Sequence, residues 1–184
     1  MDETLIHAKL KSTVPADYGE DFCIECVDGD DRMVFAVKKR PNLEESLERL
    51  SQFYELCVFT AAERNYAEQI VDRFDPGRQW ISHLLTREQC FDSNGFLVKE
   101  LNVIKDRRIE DMVIVDNSIV CFAFNLDNGI PISPYMGDNE LDEELIFMAS
   151  YLEDIYSFPD LRKANISNFN LSKIQLEDRK AKVG

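Results

Sequence analysis

The sequence predicts an α/β fold built on a parallel sheet with helices on both faces. Three observations lead there. Two apolar runs, Leu56-Cys57-Val58-Phe59 and Met112-Val113-Ile114-Val115, are continuous rather than alternating, as strands buried on both faces are. Helical patterns lie between and around them. Each run ends on polar residues, Thr60 in one case and Asp116 with Asn117 in the other. Open parallel sheets carry their chemistry at those carboxyl ends.

The elements follow in order. Residues 21–27 and 32–38 are rich in Phe, Ile and Val and flank Asp28-Gly29-Asp30-Asp31, the pattern of a β-hairpin. Asn42, after Pro41, is placed to cap a helix, with Glu45 three positions on. Leu43, Leu47, Leu50 and Tyr54 fall on one face of that helix. After Thr60 a second helix carries Tyr66, Ile70 and Phe74 on one side and stops at Asp75-Pro76-Gly77. Trp80 to Val98 reads as short strands with turns, one at Ser93-Asn94-Gly95. Ile130-Pro131-Ile132 is a further short strand. Leu141, Leu145, Met148, Leu152 and Ile155 form an amphipathic helix stopped before Pro159. Periodicity fades from Ser157. The expected organisation is one domain over 1–156, with an arm or partly disordered tail over 157–184.

Composition narrows the function. The chain has 184 residues, 45% hydrophobic and 30% charged, an ordinary globular balance. Its net charge of −14 repels phosphate backbones and anionic membrane surfaces, so direct nucleic-acid binding is not expected. No apolar run approaches the ~20 residues of a membrane span. The start, MDETLIHAKLK, has no apolar core of a signal peptide. Five cysteines, an odd and sparse set, suit a reducing cytoplasmic or nuclear setting. Cys23 and Cys26 form a C-x-x-C, but no second pair completes four metal ligands, and a strand would point them to opposite faces.

Asp2, Thr4, Thr60, Lys99, Asp116 and Asn117 together could handle a phosphoryl group. Acid and amide oxygens at strand ends are hard donors for Mg²⁺. A lysine neutralises phosphate charge and a hydroxyl donates to it. Phosphoryl transfer needs this mixture.

An ordered series of segments then resembles the carboxy-terminal-domain small phosphatases, also called nuclear-LIM-interactor-interacting-factor-like phosphatases, of the haloacid dehalogenase superfamily. Asp2-Glu3-Thr4-Leu5-Ile6-His7 resembles the end of the motif D-x-D-E-T-L-[VI]-H. Lys39-Arg40-Pro41, Val58-Phe59-Thr60-Ala61-Ala62, Thr86-Arg87-Glu88-Gln89-Cys90, Val98-Lys99-Glu100-Leu101 and Val115-Asp116-Asn117-Ser118 follow in the family's order. Asn128-Gly129-Ile130-Pro131-Ile132 closes the series, and the resemblance covers residues 2–156.

The resemblance implies a Mg²⁺-dependent phosphatase acting on phosphoserine or phosphothreonine in proteins through an aspartyl-phosphate. It gives Asp2 the general acid and base role and lets its backbone carbonyl ligate the metal. It gives Thr60 the phosphoryl oxygens, Lys99 their charge, Arg87 the substrate phosphate, and Asp116 and Asn117 the metal. The family's nucleophile is the first Asp of D-x-D. This sequence starts at the x, Met1, so both that residue and the first, central strand are expected to be missing from the chain as given. Such a gap would leave inner strands with unpaired backbone unless the sheet closes up. Three readings stand: an active phosphatase whose start lies upstream, a pseudophosphatase that binds phosphoproteins or partners, and a non-enzymatic subunit like the translocase component that shares this domain.

Other residues have plainer expectations. Phe91, Phe96 and Trp80 line a substrate groove or simply pack. His7 is structural and His83 has no evident partner. Arg64 joins Arg87 and Lys99 in drawing in an anionic ligand. The acids of 138–154 sit on a helix away from the cleft, where neutralising them changes turnover little.

Overall fold

The computed structural model describes residues 1–29 and 31–173 of the chain. The architecture is α/β, with two parallel strand pairs, an antiparallel sheet, a hairpin and four helices among those residues. Strands β1 (Ile6–Leu10), β2 (Phe22–Asp28) and β3 (Asp31–Lys39) form the antiparallel sheet in the order β1–β3–β2. The hairpin of β2 and β3 is the expected one. Strand β1 follows from no local pattern, because its partner is distant: Ile6 opposes Lys39 and Leu10 opposes Phe35. Cys23 and Cys26 lie three apart on β2, hence on opposite faces, and all five cysteines are free.

Helix α1 (Leu43–Ser51) buries Leu43, Leu47 and Leu50, as their spacing predicts. The cap expected from Asn42 is not made. Asn42 adopts a left-handed backbone with φ of 63°, whereas a capping residue is extended. Its amide donates instead to the Asp142 carbonyl at 3.3 Å. Strand β4 (Leu56–Phe59) runs parallel to β5 (Ile81–Leu85), with helix α2 (Arg64–Phe74) between them in sequence. Asp75 ends α2 fully buried. Its carboxylate accepts the backbone N–H groups of Gln79, Trp80 and Ile81 at 2.8, 3.1 and 2.7 Å, which fixes the turn into β5.

Strands β6 (Phe91–Ser93) and β7 (Phe96–Val98) form a hairpin. Asn94 and Gly95 turn it with φ of 53° and 85°. Strand β8 (Ile114–Asp116) runs parallel to β9 (Gly129–Pro131). Among the described residues β4 is laddered only to β5 and β8 only to β9, so the sheet does not close across from β4 to β8.

Helix α3 (Glu144–Ile155) buries Leu145, Met148, Leu152 and Ile155, but Leu141 falls before it and is 87% exposed. The main core joins residues of α1, α2 and α3 with Ile6, Val37, Val58 and Ile130. Helix α4 (Leu161–Asn168) lies past the expected boundary at 156, yet its Leu161 and Ala164 belong to that core. Asp160 caps it by accepting the Arg162 N–H at 3.2 Å. The part of the expected tail from residue 174 onward lies outside the described residues.

Candidate phosphoryl site

Each expected residue stands at the end of an element. Thr60 follows β4 and is buried; its hydroxyl accepts the Ala62 N–H at 3.1 Å, and its own N–H donates to the Leu85 carbonyl at 2.9 Å. Asp116 ends β8, and Lys99 follows β7 directly. Their side chains are 3% and 5% exposed and are joined by a 2.5 Å hydrogen bond from Lys99 Nζ to Asp116 Oδ2. The second carboxylate oxygen accepts the Ser118 N–H at 2.8 Å. The Lys99 backbone N–H donates to the Cys121 carbonyl at 2.6 Å, tying the end of the hairpin to the loop after β8. A buried charge survives only when it is paired in this way.

Asn117 reaches the other direction. Its amide oxygen accepts the Thr4 hydroxyl at 3.0 Å, tying the segment before β1 to the end of β8. Asp2 accepts the Tyr66 hydroxyl at 2.6 Å. Burial, and then the negative charge of Asp2, push the Tyr66 phenol far up, so it stays a donor to that carboxylate. Arg87 stands at the rim with half its side chain exposed. Its Nε donates to the Ala61 carbonyl at 2.9 Å and its Nη1 to Glu63 at 3.0 Å. The Cys90 thiol, close to the Thr60 carbonyl at 3.7 Å, is raised by burial, while both Lys99 and Arg87 oppose that rise. Lys99 and Asp116 are thus paired, Asn117 is tied to Thr4 of the segment that carries Asp2, and Thr60 and Arg87 stand on one loop cluster.

The profile of the NLI interacting factor-like phosphatases matches residues 1–162. The chain belongs to that family. It is 34% identical over 174 residues to CTD small phosphatase-like protein 2 of Dictyostelium discoideum, covering 95% of this chain and 30% of that protein. It is 31% identical over 178 residues to CTD nuclear envelope phosphatase 1B of Danio rerio, covering 95% of this chain and 72% of that one. The solved structure of Fcp1, an essential RNA polymerase II CTD phosphatase, has the same fold, with a TM-score of 0.71 at 18% identity over 85% of this chain and 60% of that one. The chain therefore spans less than half the length of the first of these relatives.

The donor set of this family member can be tested against a divalent cation. Asp116 and Asn117 offer hard oxygens, and each of the oxygens already engaged keeps a second lone pair. Mg²⁺ commonly takes one or two carboxylates and completes its shell with water and substrate phosphate. Asp116 and Asn117 suit that open pattern by donor type. They do not make a closed cage: no group of three or more His, Cys, Asp or Glu gathers for a metal among the described residues.

One supporting device escaped the sequence reading. Arg40, 1% exposed, donates from Nε and Nη2 to both oxygens of Asp142 at 2.7 and 2.9 Å, and from Nη1 to the Thr4 carbonyl at 3.1 Å. Asp142 thus departs from the expectation of a solvated helix acid remote from the cleft: it precedes α3 and is the counter-ion of a buried arginine. Its only sequence signal was the Lys39-Arg40-Pro41 motif, which marks Arg40 but not its partner. His83, for which no partner was evident, pairs with Glu55 at 2.8 Å on the surface, and Arg64 pairs with Glu68 and Glu88 at 3.4 and 3.3 Å. Among the described residues no helix is long and apolar enough to cross a membrane.

Proposed function

We propose that this domain captures phosphoserine or phosphothreonine side chains of proteins and serves their dephosphorylation. The observation that carries the reading is the buried Lys99–Asp116 pair at the ends of β7 and β8; Thr60, also buried, follows β4. Lys99 is held where it can offset phosphoryl charge, and Asp116 fixes its direction. The Thr60 hydroxyl can donate to a phosphoryl oxygen while still accepting from Ala62. Arg87 has one guanidinium edge on the Ala61 carbonyl and Glu63, and its position at the rim suits first contact with an incoming phosphate. Asp2, oriented by Tyr66, passes a proton to the leaving hydroxyl and then takes one from water. Mg²⁺, held by Asp116, Asn117 and the Asp2 carbonyl, would add positive charge to the phosphoryl oxygens.

The carboxylate that attacks phosphorus in the family's first motif belongs immediately before Met1, outside this sequence. Capture of the phosphate needs only residues present here; turnover needs that carboxylate as well. The test of capture is calorimetric titration with a phosphoserine peptide in Mg²⁺. Binding should exceed that of the unphosphorylated peptide and weaken in Thr60→Val and Arg87→Met. Equal affinity for both peptides would overturn the proposal.

A further inference from the structure

Beside the site lies an apolar face that packing into the main core does not explain. Phe91 and Phe96 on the β6–β7 hairpin are 53% and 63% exposed. Ile119, Val120 and Phe124 on the loop after β8 are 46%, 49% and 49% exposed. The two segments form one surface, because Phe91 and Phe124 meet edge to face with ring centroids 5.5 Å apart. Clustered aromatic exposure of this kind marks an interaction site rather than scattered surface residues. Trp80, grouped with Phe91 and Phe96 on sequence, packs instead against the main core.

The face is continuous with the phosphoryl site. Lys99 directly follows β7, Cys90 next to Phe91 touches the Thr60 carbonyl, and Ile119 comes two residues after Asn117. It is also the charge-poor approach. Residues 89–98 and 117–126 contain one charged side chain, Asp92, in a chain that is 30% charged and carries −14. Exposed acids ring other flanks: the side chains of Glu63 and Glu88 are 74% and 60% exposed, and that of Glu3 is 38% exposed. Glu63 and Glu88 are offset by Arg87 and Arg64, so a phosphorylated segment finds charge pairs on that flank. Over the phenylalanines it meets an apolar surface with one charge, Asp92.

We propose that the face formed by Phe91, Phe96, Phe124, Ile119 and Val120 binds apolar residues of the phosphoprotein that lie next to its phosphorylated residue. This rests on the reading of the site as a phosphoryl site. The selectivity it supplies is for aromatic or aliphatic neighbours of the phosphoresidue, since a few partly exposed aromatic anchors can dominate the binding of a short segment.

The test uses fluorescence anisotropy with the full chain and two phosphoserine peptides of equal charge. One carries Phe and Leu beside the phosphoserine and the other Ser and Gly, and each is also made unphosphorylated. The apolar phosphopeptide should bind about tenfold tighter than the polar one. The double variant Phe91→Ser with Phe96→Ser should abolish that preference, with polar phosphopeptide binding and melting temperature unchanged. Equal binding of the two phosphopeptides to the unaltered chain overturns this inference and leaves the phosphoryl site standing. So does a dimer in sedimentation that the double variant dissolves, because a second copy would then own the face. Loss of any difference between phosphorylated and unphosphorylated peptides overturns the site reading, and this inference with it.

Discussion

Replacing Asp142 with Ala removes the carboxylate that both Nε and Nη2 of Arg40 bind, and leaves a guanidinium at 1% exposure with one carbonyl as partner. Breaking a buried pair from one side costs about 3–5 kcal/mol, because the remaining charge is stranded away from water. In a chain of this length each kcal/mol corresponds to roughly 2–4 °C of melting temperature, so Asp142→Ala should melt about 10 °C lower. The effect should persist at high salt, where exposed pairs are screened and buried ones are not. A rescue variant separates charge stranding from lost packing. Arg40→Met combined with Asp142→Leu should recover most of the stability, since no charge is then left alone. The damage should also reach the site, because the Thr4 carbonyl held by Arg40 belongs to the residue whose hydroxyl binds Asn117. Differential scanning calorimetry with a urea titration reads the stability. A loss below about 1 kcal/mol would refute the reasoning, since that is the size of an exposed pair.

Three further outcomes are expected. Lys99→Met strands the Asp116 carboxylate in the same way and should both lower stability by about 3 kcal/mol and weaken phosphopeptide binding at least about tenfold; unchanged binding by titration calorimetry would remove Lys99 from the site. Gly129→Ala should destabilise by about 1–3 kcal/mol or more in chemical denaturation, because its Cβ would fall 2.1 Å from the Phe122 ring, itself fully buried; an unchanged urea midpoint would mean that the ring can move aside. His7 has its pKa lowered by burial and by Lys9 and Lys38, against the opposing pull of Asp138 and Asp2, and neither ring nitrogen finds a hydrogen-bond partner. The folded state therefore prefers the neutral ring. Its stabilising effect is complete above the unfolded value of 6.5 and is lost as pH falls from there through the lower folded value, so the urea midpoint should drop over that interval, and less so in His7→Leu.

The parts of the fold legible in sequence were those fixed by local periodicity. The continuous runs at β4 and β8 and the spacing of Leu43, Leu47 and Leu50 depend only on neighbours along the chain. Strand β1 did not show because its pairing with β3 spans thirty residues or so and its outer face is polar. Helix α4 did not show because its sequence carries only a narrow apolar stripe, and one of its buried positions is Asn165, which accepts the Tyr151 hydroxyl at 2.8 Å. Asn42 was misjudged because a capping residue type says nothing of its backbone, which is left-handed, with the side chain turned to the Asp142 carbonyl. At the site, the residues at strand ends were visible from the motif series. Their supports, Tyr66 on Asp2, Thr4 on Asn117 and Asp142 on Arg40, were not, because each joins segments far apart in the chain.

The central claim is that Thr60, Lys99 and Asp116 form a phosphoryl site able to serve hydrolysis. Its most direct test is phosphate release from an aryl phosphate in Mg²⁺ by this chain preceded by an apolar strand that ends in an aspartate directly before Met1. The same protein with asparagine in place of that aspartate is the control. The account predicts turnover with the aspartate, none with the asparagine, and loss of turnover in Thr60→Val and Lys99→Met. A folded protein with the aspartate that releases no phosphate, or one whose turnover survives both replacements, would contradict it.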